Sequence, residues 1–375
     1  MKTTLSSISM FSLLVALFAA ALGAPARAAL FPVVNESGMI RLSVDGVGTN
    51  SGIEIVQVEK PSAGATVRRA SFACANVGFF GDTIEDGEIL LDGAPISWDT
   101  ETFNFGASFH NVLADVTALI APKLAASAAG RVDFTVEELW TFDVDGCILA
   151  VVFDDPSQVH EQTAILLFGG QEPLGDEFQI LLDEPIDLDA PNLVLDFGLG
   201  ISFGAQDQFG SGGSHFCGVD SPMFSTIDVN GSRLTSCAGN MDDGVDSVEN
   251  GILLTVGGLD DLNDNPADPF QEAADGQVPR VEDDELYSLI PVVSDGSTEI
   301  SVTTINPSVD DNIFFAHLLI SGQGEVFGVT IFNDGFETGD TSRWSITNGV
   351  MATETSAMPP ITGATPVGAA PVTDR

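Results

Sequence analysis

The sequence has few basic residues, few tyrosines and tryptophans, and little that identifies a catalytic centre. It contains 12 Lys and Arg against 55 Asp and Glu, with three Trp and one Tyr in 375 residues. A net charge of −43 repels nucleic acid and anionic lipid headgroups, which argues against both as partners. The same charge suits either solubility in salt or the binding of divalent cations, and charge alone does not separate these interpretations.

Signatures of hydrolytic enzymes are also missing. The sequence has no HExxH zinc motif and no GxSxG nucleophile elbow. The four histidines, His110, His160, His215 and His317, are too far apart in the sequence to indicate a zinc site. Carboxylate pairs of the kind used in glycoside hydrolysis cannot be singled out among so many acids. We therefore favour a protein without enzymatic activity.

Long apolar runs are confined to the N-terminus. Residues 10–22 read MFSLLVALFAAAL, follow a start that carries Lys2, and precede the small-x-small sequence Ala26-Arg27-Ala28. This pattern is that of an export signal cleaved before Ala29, and the run is shorter than the about 20 residues that span a bilayer. We expect residues 1–28 to be removed and the mature chain to be secreted or held at the cell surface without a transmembrane segment.

Cysteine is scarce but even in number. Cys74, Cys147, Cys217 and Cys237 have no CxxC spacing, which disfavours zinc and thioredoxin-like chemistry. In an exported chain, four cysteines indicate disulfides, and three pairings are open. We favour Cys74–Cys147 and Cys217–Cys237, because each pair then stays within one predicted domain.

Short β-branched or alternating segments, separated by turn residues, make up most of the chain. In the first half they are residues 39–44, 53–58, 88–91, 131–136, 148–153 and 164–168; in the second half they are 178–182, 193–197, 225–229, 251–256, 299–304 and 314–320. The pairs Asp45-Gly46 and Asp92-Gly93 are hairpin signals. Only residues 110–129 have helical spacing, and Pro122 limits them to one or two short turns. The sequence predicts an all-β fold of two consecutive β-sandwich domains, jelly-roll or Ig-like, with one short helical segment.

A glycine-rich segment, residues 169–173, is the predicted junction. It divides the mature chain into domain 1, residues 29–172, and domain 2, residues 173–330. Residues 331–375 contain the string DGFETGDTSRWS (334–345) and then a segment rich in Ala, Thr, Pro and Gly. Such a composition cannot bury a core, so we expect a flexible C-terminal tail.

Several strings resemble segments of bacterial exported and surface proteins that are built from β-sandwich modules. They are LADVTALI (113–120), DGCILAVVFDDPS (145–157), IDVNGSRLT (227–235), TVGGLDDLNDNPADP (255–269), DDELYSLIP (283–291) and TINPSVDDNIFFA (304–316). The resemblance covers most of residues 38–325. The string at 334–345 resembles a tail motif of exported bacterial proteins. The resemblance implies a fold, a bacterial source and an extracellular location, but no activity.

Acidic residues concentrate in loops of the second half. Calcium takes six to eight oxygen ligands, which loops rich in Asp and Asn can supply. The candidate ligands are Asp242, Asp243 and Asp246; Asp260, Asp261, Asn263, Asp264 and Asp268; and Asp310 and Asp311. None of these strings fits the EF-hand loop. Because Asp and Asn also bond their own backbone in turns, ordinary turn chemistry remains the alternative.

These observations lead to one main hypothesis and two alternatives. The main hypothesis is a secreted or surface-associated, non-enzymatic protein with a role in adhesion, matrix or envelope structure, Ca²⁺ in its acidic loops, and an extracellular protein or polysaccharide as partner. The first alternative is a secreted glycosidase or esterase that uses a carboxylate pair. The second is a lectin-like carbohydrate-binding module, which would need Trp98 and Trp140 to be exposed.

Overall fold

The computed structural model describes residues 30–48, 52–76, 83–104, 109–139, 144–171, 176–202, 225–238, 254–259, 261, 285–306 and 312–328. In these ranges the chain forms strands in four antiparallel sheets, numbered I to IV below, and one α-helix. The prediction of an all-β fold is confirmed. Each of the twelve predicted strand segments coincides with, or overlaps, an observed strand.

Sheets I and II are built from the first half of the chain. Sheet I contains, in spatial order, β3 (Ile53–Lys60), β9 (Gly130–Glu138), β5 (Ile89–Leu91) and β6 (Ala94–Pro95). Sheet II contains β2 (Ile40–Val47), β10 (Val144–Asp154), β4 (Thr66–Asn76), β8 (His110–Asp115) and β7 (Thr100–Phe103).

Sheets III and IV contain the remaining strands. Sheet III has the order β1 (Phe31–Gly38), β11 (Gln162–Phe168), β19 (Asn312–Ser321), β13 (Leu195–Ser202) and β16 (Leu254–Val256), and β17 (Leu286–Ser288) also pairs with β13. Sheet IV has the order β15 (Ser232–Ala238), β14 (Ser225–Val229), β18 (Glu299–Ile305), β12 (Asp176–Leu182) and β20 (Gly324–Gly328). A short 3₁₀ turn, Ile290–Val292, follows β17.

Three apolar layers join the four sheets into one stack in the order I, II, III, IV. Sheets I and II share a core that includes Phe72, Phe134 and Phe153; sheets II and III share Ile148, Leu166 and Phe315; sheets III and IV share Phe178, Phe197 and Leu318. Burial of apolar surface between these sheets is the main favourable contribution to the fold.

The two inner sheets are buried on both faces, which explains a feature of the sequence. In β10, Leu149 and Val151 face the core between sheets I and II, whereas Ile148 and Ala150 face the core between sheets II and III. Side chains on a strand alternate between its two faces, so a strand covered on both sides needs apolar residues at every position. The runs in β10 and β11 therefore mark central strands, not half-exposed ones.

Strands from both predicted domains share sheet III. Sheets I and II contain only residues before position 172, and sheet IV contains only residues after it. In sheet III, however, β11 pairs along its whole length with β19. Two residues of the predicted junction are anchored as well: the amide of Gly169 donates to the carbonyl of Phe314 (3.0 Å), and that of Gln171 to the carbonyl of Ile313 (2.9 Å). The layers therefore do not separate at residue 172.

The two Asp-Gly signals have different outcomes. Asp92 and Gly93 have φ values of 52° and 79° and form the tight turn between β5 and β6, as predicted. The turn predicted at Asp45-Gly46 is wrong, because both residues lie inside β2. A side chain at Gly46 would collide with Val256 of sheet III, so glycine is needed there for close approach of two sheets.

The prediction for residues 110–129 is corrected in part. Residues 110–115 form β8, and the helix α1 (Thr117–Ala126) follows with Pro122 in its interior. Ile120 and Leu124 of α1 are buried in the core between sheets I and II. The buried ammonium of Lys60 donates to the carbonyls of Leu124 (2.8 Å) and Ser127 (2.9 Å), which satisfies the C-terminal end of the helix. Packing and this cap outweigh the cost of the proline.

The disulfide pairing Cys74–Cys147 is confirmed. The two residues are direct partners on β4 and β10, with a Cα–Cα distance of 4.1 Å. Both are buried in the core between sheets I and II. Cys217 and the side chain of Cys237 lie outside the described part of the chain, so the second pairing stays a prediction.

Candidate functional site

The cation ligands predicted from the acidic loops fall almost entirely outside the described residues. These are Asp242, Asp243, Asp246, Asp260, Asn263, Asp264, Asp268, Asp310 and Asp311. Asp261 is described, and its carboxylate accepts a hydrogen bond from the amide of Gly258 (2.5 Å). That contact is the turn chemistry expected of an Asp in a loop. Within the described ranges, no group of three or more His, Cys, Asp or Glu side chains is arranged to hold a metal ion.

A different pair of acids is buried between sheets I and II. Glu138 is the last residue of β9 in sheet I, and Asp145 is the second residue of β10 in sheet II. The side chains of Val132, Phe134 and Val136 alternate into the core, and the same alternation directs Glu138 inward. The residues are 3% and 2% exposed, respectively.

Asp145 owes its position to an irregularity in β10. Val144 pairs with Asn76, and Gly146 pairs with Ala75, so Asp145 is the extra residue of a β-bulge. A bulge turns a side chain away from the direction that regular alternation would give it. Here it brings an acidic side chain close to Glu138 at the end of the sandwich, where its charge acts on the Glu138 carboxyl.

The electrostatics of this pair are unfavourable for two negative charges. Burial, and to a lesser extent the negative charge of Asp145, together raise the pKa of Glu138 to about 9. Neither carboxyl oxygen of Glu138 has a hydrogen-bond partner among the described residues. Without a cation, Glu138 is therefore protonated at neutral pH. A buried acid in such surroundings is a candidate for a functional site.

The alternation of apolar and polar residues in the sequence distinguishes Glu138 from the other acids, although the overall composition does not. In the segment VDFTVEE, residues 132–138, every second residue is apolar until position 138, where Glu occupies the core-facing position. A charged residue at a position that the alternation places in the core is informative, because a buried charge is costly without a partner. No comparable signal identifies Asp145, because a bulge cannot be recognised from spacing.

A second polar cluster joins sheets II and III. The amide of Asn312 in β19 donates to Oδ1 of Asn111 in β8 (2.7 Å) and to the hydroxyl of Ser202 in β13 (2.7 Å). Its own Oδ1 accepts from Asn104 (3.2 Å) and Asn111 (3.3 Å). Asn111 also donates to the carbonyl of Gly169 (2.7 Å). These buried amides fix the two inner sheets relative to each other and have the features of a structural network.

We expect Asn312→Ala to lower the free energy of unfolding by about 2 kcal/mol, because it leaves buried groups of Asn111 and Ser202 without partners. Urea denaturation measures the change. Asn35→Ala is the matched control, since Asn35 is exposed and its amide makes a bond of 3.3 Å to the carbonyl of Gly324. Equal losses in the two variants would contradict the assignment.

The histidines are spread over the stack. His110 accepts from the amide of Ile84 (3.0 Å) and contacts the carboxylate of Glu101 (3.2 Å). His317 lies in β19, and its Nε2 bonds to the carbonyl of Gly257 (2.6 Å). His160 is exposed, and His215 lies outside the described ranges. Burial lowers the pKa of His317 to about 4, so its imidazole is neutral at physiological pH.

The aromatic side chains considered for sugar binding give little support to that role. Trp98 is half-buried against the core between sheets I and II and stacks on Phe72, with ring centroids 6.2 Å apart. Its indole nitrogen donates to the carbonyl of Glu85 (3.4 Å). Trp140 lies outside the described residues. A ring packed on the core in this way offers less surface for stacking against a sugar than an exposed platform.

Comparison with known proteins adds no assignment. No family model, no curated protein and no solved structure matches the chain. Among the described residues, no helix has the length and apolar character needed to cross a membrane.

Proposed function

We propose that the chain is a secreted or surface-associated bacterial protein without enzymatic activity, with a structural role in adhesion, matrix or envelope. The observation that carries this proposal is the continuous four-sheet stack. Two halves of the chain share sheet III, and three apolar layers together with the Cys74–Cys147 bridge hold the sheets together. Such a framework resists local opening, as an extracellular structural protein must.

The chemistry of the chain supports the proposed location. Disulfides persist in oxidising compartments, and the sequence begins with the features of an export signal. The proposed partner is an extracellular protein or a polysaccharide. Because the chain carries a net charge of −43, a basic protein surface is the partner that its electrostatic field attracts most strongly.

Fractionation of a bacterial host that expresses the tagged full chain tests the proposal. We expect the protein in the medium or at the cell surface, with an N-terminus at Ala29. A matched variant with Ala26→Asp and Ala28→Asp should retain the leader, because small residues are required at both positions. Cytoplasmic accumulation of the unprocessed wild-type chain would contradict the proposed location.

The pair formed by Glu138 and Asp145 favours a second candidate, a secreted hydrolase. Glycosidases use two carboxyl groups, one of which is protonated at neutral pH. Access is the difficulty, because both side chains are almost completely buried. Assays of the purified protein on polysaccharide and ester substrates distinguish the candidates. Turnover that disappears in Glu138→Gln would establish the hydrolase and refute the non-enzymatic role.

A further inference from the structure

The acids Glu138 and Asp145 form a site for which the structural role proposed above has no use. They come from two sheets, Glu138 at the end of β9 in sheet I and Asp145 near the start of β10 in sheet II, and the charge of Asp145 acts on the Glu138 carboxyl. The amide of Glu138 is bound to the carbonyl of Gly52 (2.7 Å), and the following amide, of Leu139, is bound to Glu88 (2.9 Å). The backbone that carries Glu138 is therefore held on both sides.

Unlike its backbone amide, the side chain of Glu138 has no hydrogen-bond partner among the described residues. Its two oxygens are buried, and none of the ion pairs found among those residues involves it. A buried polar group without partners costs about 1–3 kcal/mol, and more when it is charged. Replacement by an apolar residue would avoid that cost. A carboxyl group kept in this place next to a second acid thus indicates a ligand that binds both.

We propose that Glu138 and Asp145 are ligands of a hard divalent cation, Ca²⁺, bound between sheets I and II. A cation placed between the two side chains supplies the missing partner of Glu138 and balances the charge of both acids. The site differs from the acidic loops of the second half, since neither residue belongs to them.

Calcium fits the available donors better than other divalent ions. Both side chains offer oxygen only, which disfavours zinc and copper. Ca²⁺ accepts six to eight oxygens in irregular arrangements, whereas Mg²⁺ requires a nearly ideal octahedron. Two carboxylates supply at most four oxygens, so backbone carbonyls and water must complete the set. This partial protein contribution is consistent with the absence of a three-residue cluster within the described ranges.

Thermal unfolding of the purified mature protein, in chelator and in Ca²⁺, tests the site. We expect Ca²⁺ at about 100 times its Kd to raise Tm by about 5 °C. Combined replacement by Glu138→Gln and Asp145→Asn should abolish this rise, because the variant keeps the shapes of the side chains without their charge. The matched control is Asp260→Asn with Asp261→Asn, which removes two acids of the loop and should retain the rise.

Equilibrium dialysis with radioactive Ca²⁺ gives a second, independent readout. The Glu138 and Asp145 variant should bind one Ca²⁺ fewer per chain than the wild type, with circular dichroism confirming that it is folded. If this variant keeps both the full stoichiometry and the full rise in Tm, the site is refuted. A rise lost only in the loop control would also refute it. Neither measurement depends on where the protein is located, so failure of the cation site can be distinguished from failure of the proposed function.

Discussion

Removal of the Cys74–Cys147 disulfide should lower the free energy of unfolding by about 4 kcal/mol. The bridge spans 73 residues, and closing a loop of that length removes a large part of the conformational entropy of the unfolded chain. Few other single changes in a domain have effects of this size. The bond also fixes β4 against β10, two adjacent inner strands of sheet II.

Urea denaturation of the double variant Cys74→Ala and Cys147→Ala, followed by tryptophan fluorescence, measures this loss. Trp98 stacks on Phe72 in the same core, so its contribution to the emission changes on unfolding around the bridge. The control is the same pair of proteins in reductant, where the wild type loses its bridge during unfolding and the variant is unaffected. A difference that persists undiminished in reductant would show that packing, and not the bond, is responsible.

Acidification from pH 7 to pH 4 should remove about 3 kcal/mol of stability through His317 alone. The pKa of His317 is lowered to about 4 in the folded protein, against an ordinary value of 6.5. Between these two values the unfolded state binds the proton and the folded state does not, so stability is complete above pH 6.5 and falls as the pH decreases toward 4. The size follows from 1.36 kcal/mol per unit of pKa difference.

The physical cause is the position of the imidazole inside sheet III. Nε2 donates to the carbonyl of Gly257, and Nδ1 is buried without a partner among the described residues. Protonation would place a second N–H in an apolar layer where nothing accepts it, beside Leu166 and Gly198 on the neighbouring strands. The lowered pKa of His317 results from the free-energy cost of that buried charge.

The His317→Gln variant isolates this contribution, because glutamine retains an N–H donor but does not titrate. We expect its stability to vary less between pH 6.5 and pH 4 than that of the wild type, in denaturation experiments performed with chelator. Asp115 and Asp155, whose pKa values are lowered by hydrogen bonds and nearby arginines despite the opposing effect of burial, lose stabilising interactions in acid in both proteins. His160→Gln, at an exposed position, should leave the slope unchanged. Equal slopes in wild type and His317→Gln would disprove the assignment.

The proposed location and the proposed cation site have a joint consequence. Extracellular modules bind Ca²⁺ with Kd values of about 10⁻⁴–10⁻³ M, which suits an environment rich in the ion. A site of that affinity would be empty in the cytoplasm and filled after export. Binding of Ca²⁺ by Glu138 and Asp145 would then add stability only where the protein is proposed to function.

The sequence by itself predicted the all-β class and the strand segments, and it favoured the pair Cys74–Cys147 among three open pairings, which the structure then decided. Strand segments are local, because the alternation and the turn residues that define them lie within a few positions. The export signal and the C-terminal tail are read from composition in the same way and stay predictions. The uninterrupted apolar runs of β10 and β11 were predicted only as strands, and the structure explains them by burial on both faces.

Only the tertiary structure decided how the sheets combine and where an acid becomes buried. Sheet III takes strands from both sides of residue 172, a pairing over long sequence distances that no local pattern encodes. Asp45-Gly46 has the composition of a turn, yet the approach of Val256 across two sheets requires glycine within a strand. Glu138 and Asp145 are two among 55 acids in the sequence. They form a candidate site because alternation in β9 and a bulge in β10 direct both into one core, and burial gives their charges a cost that exposed acids do not have.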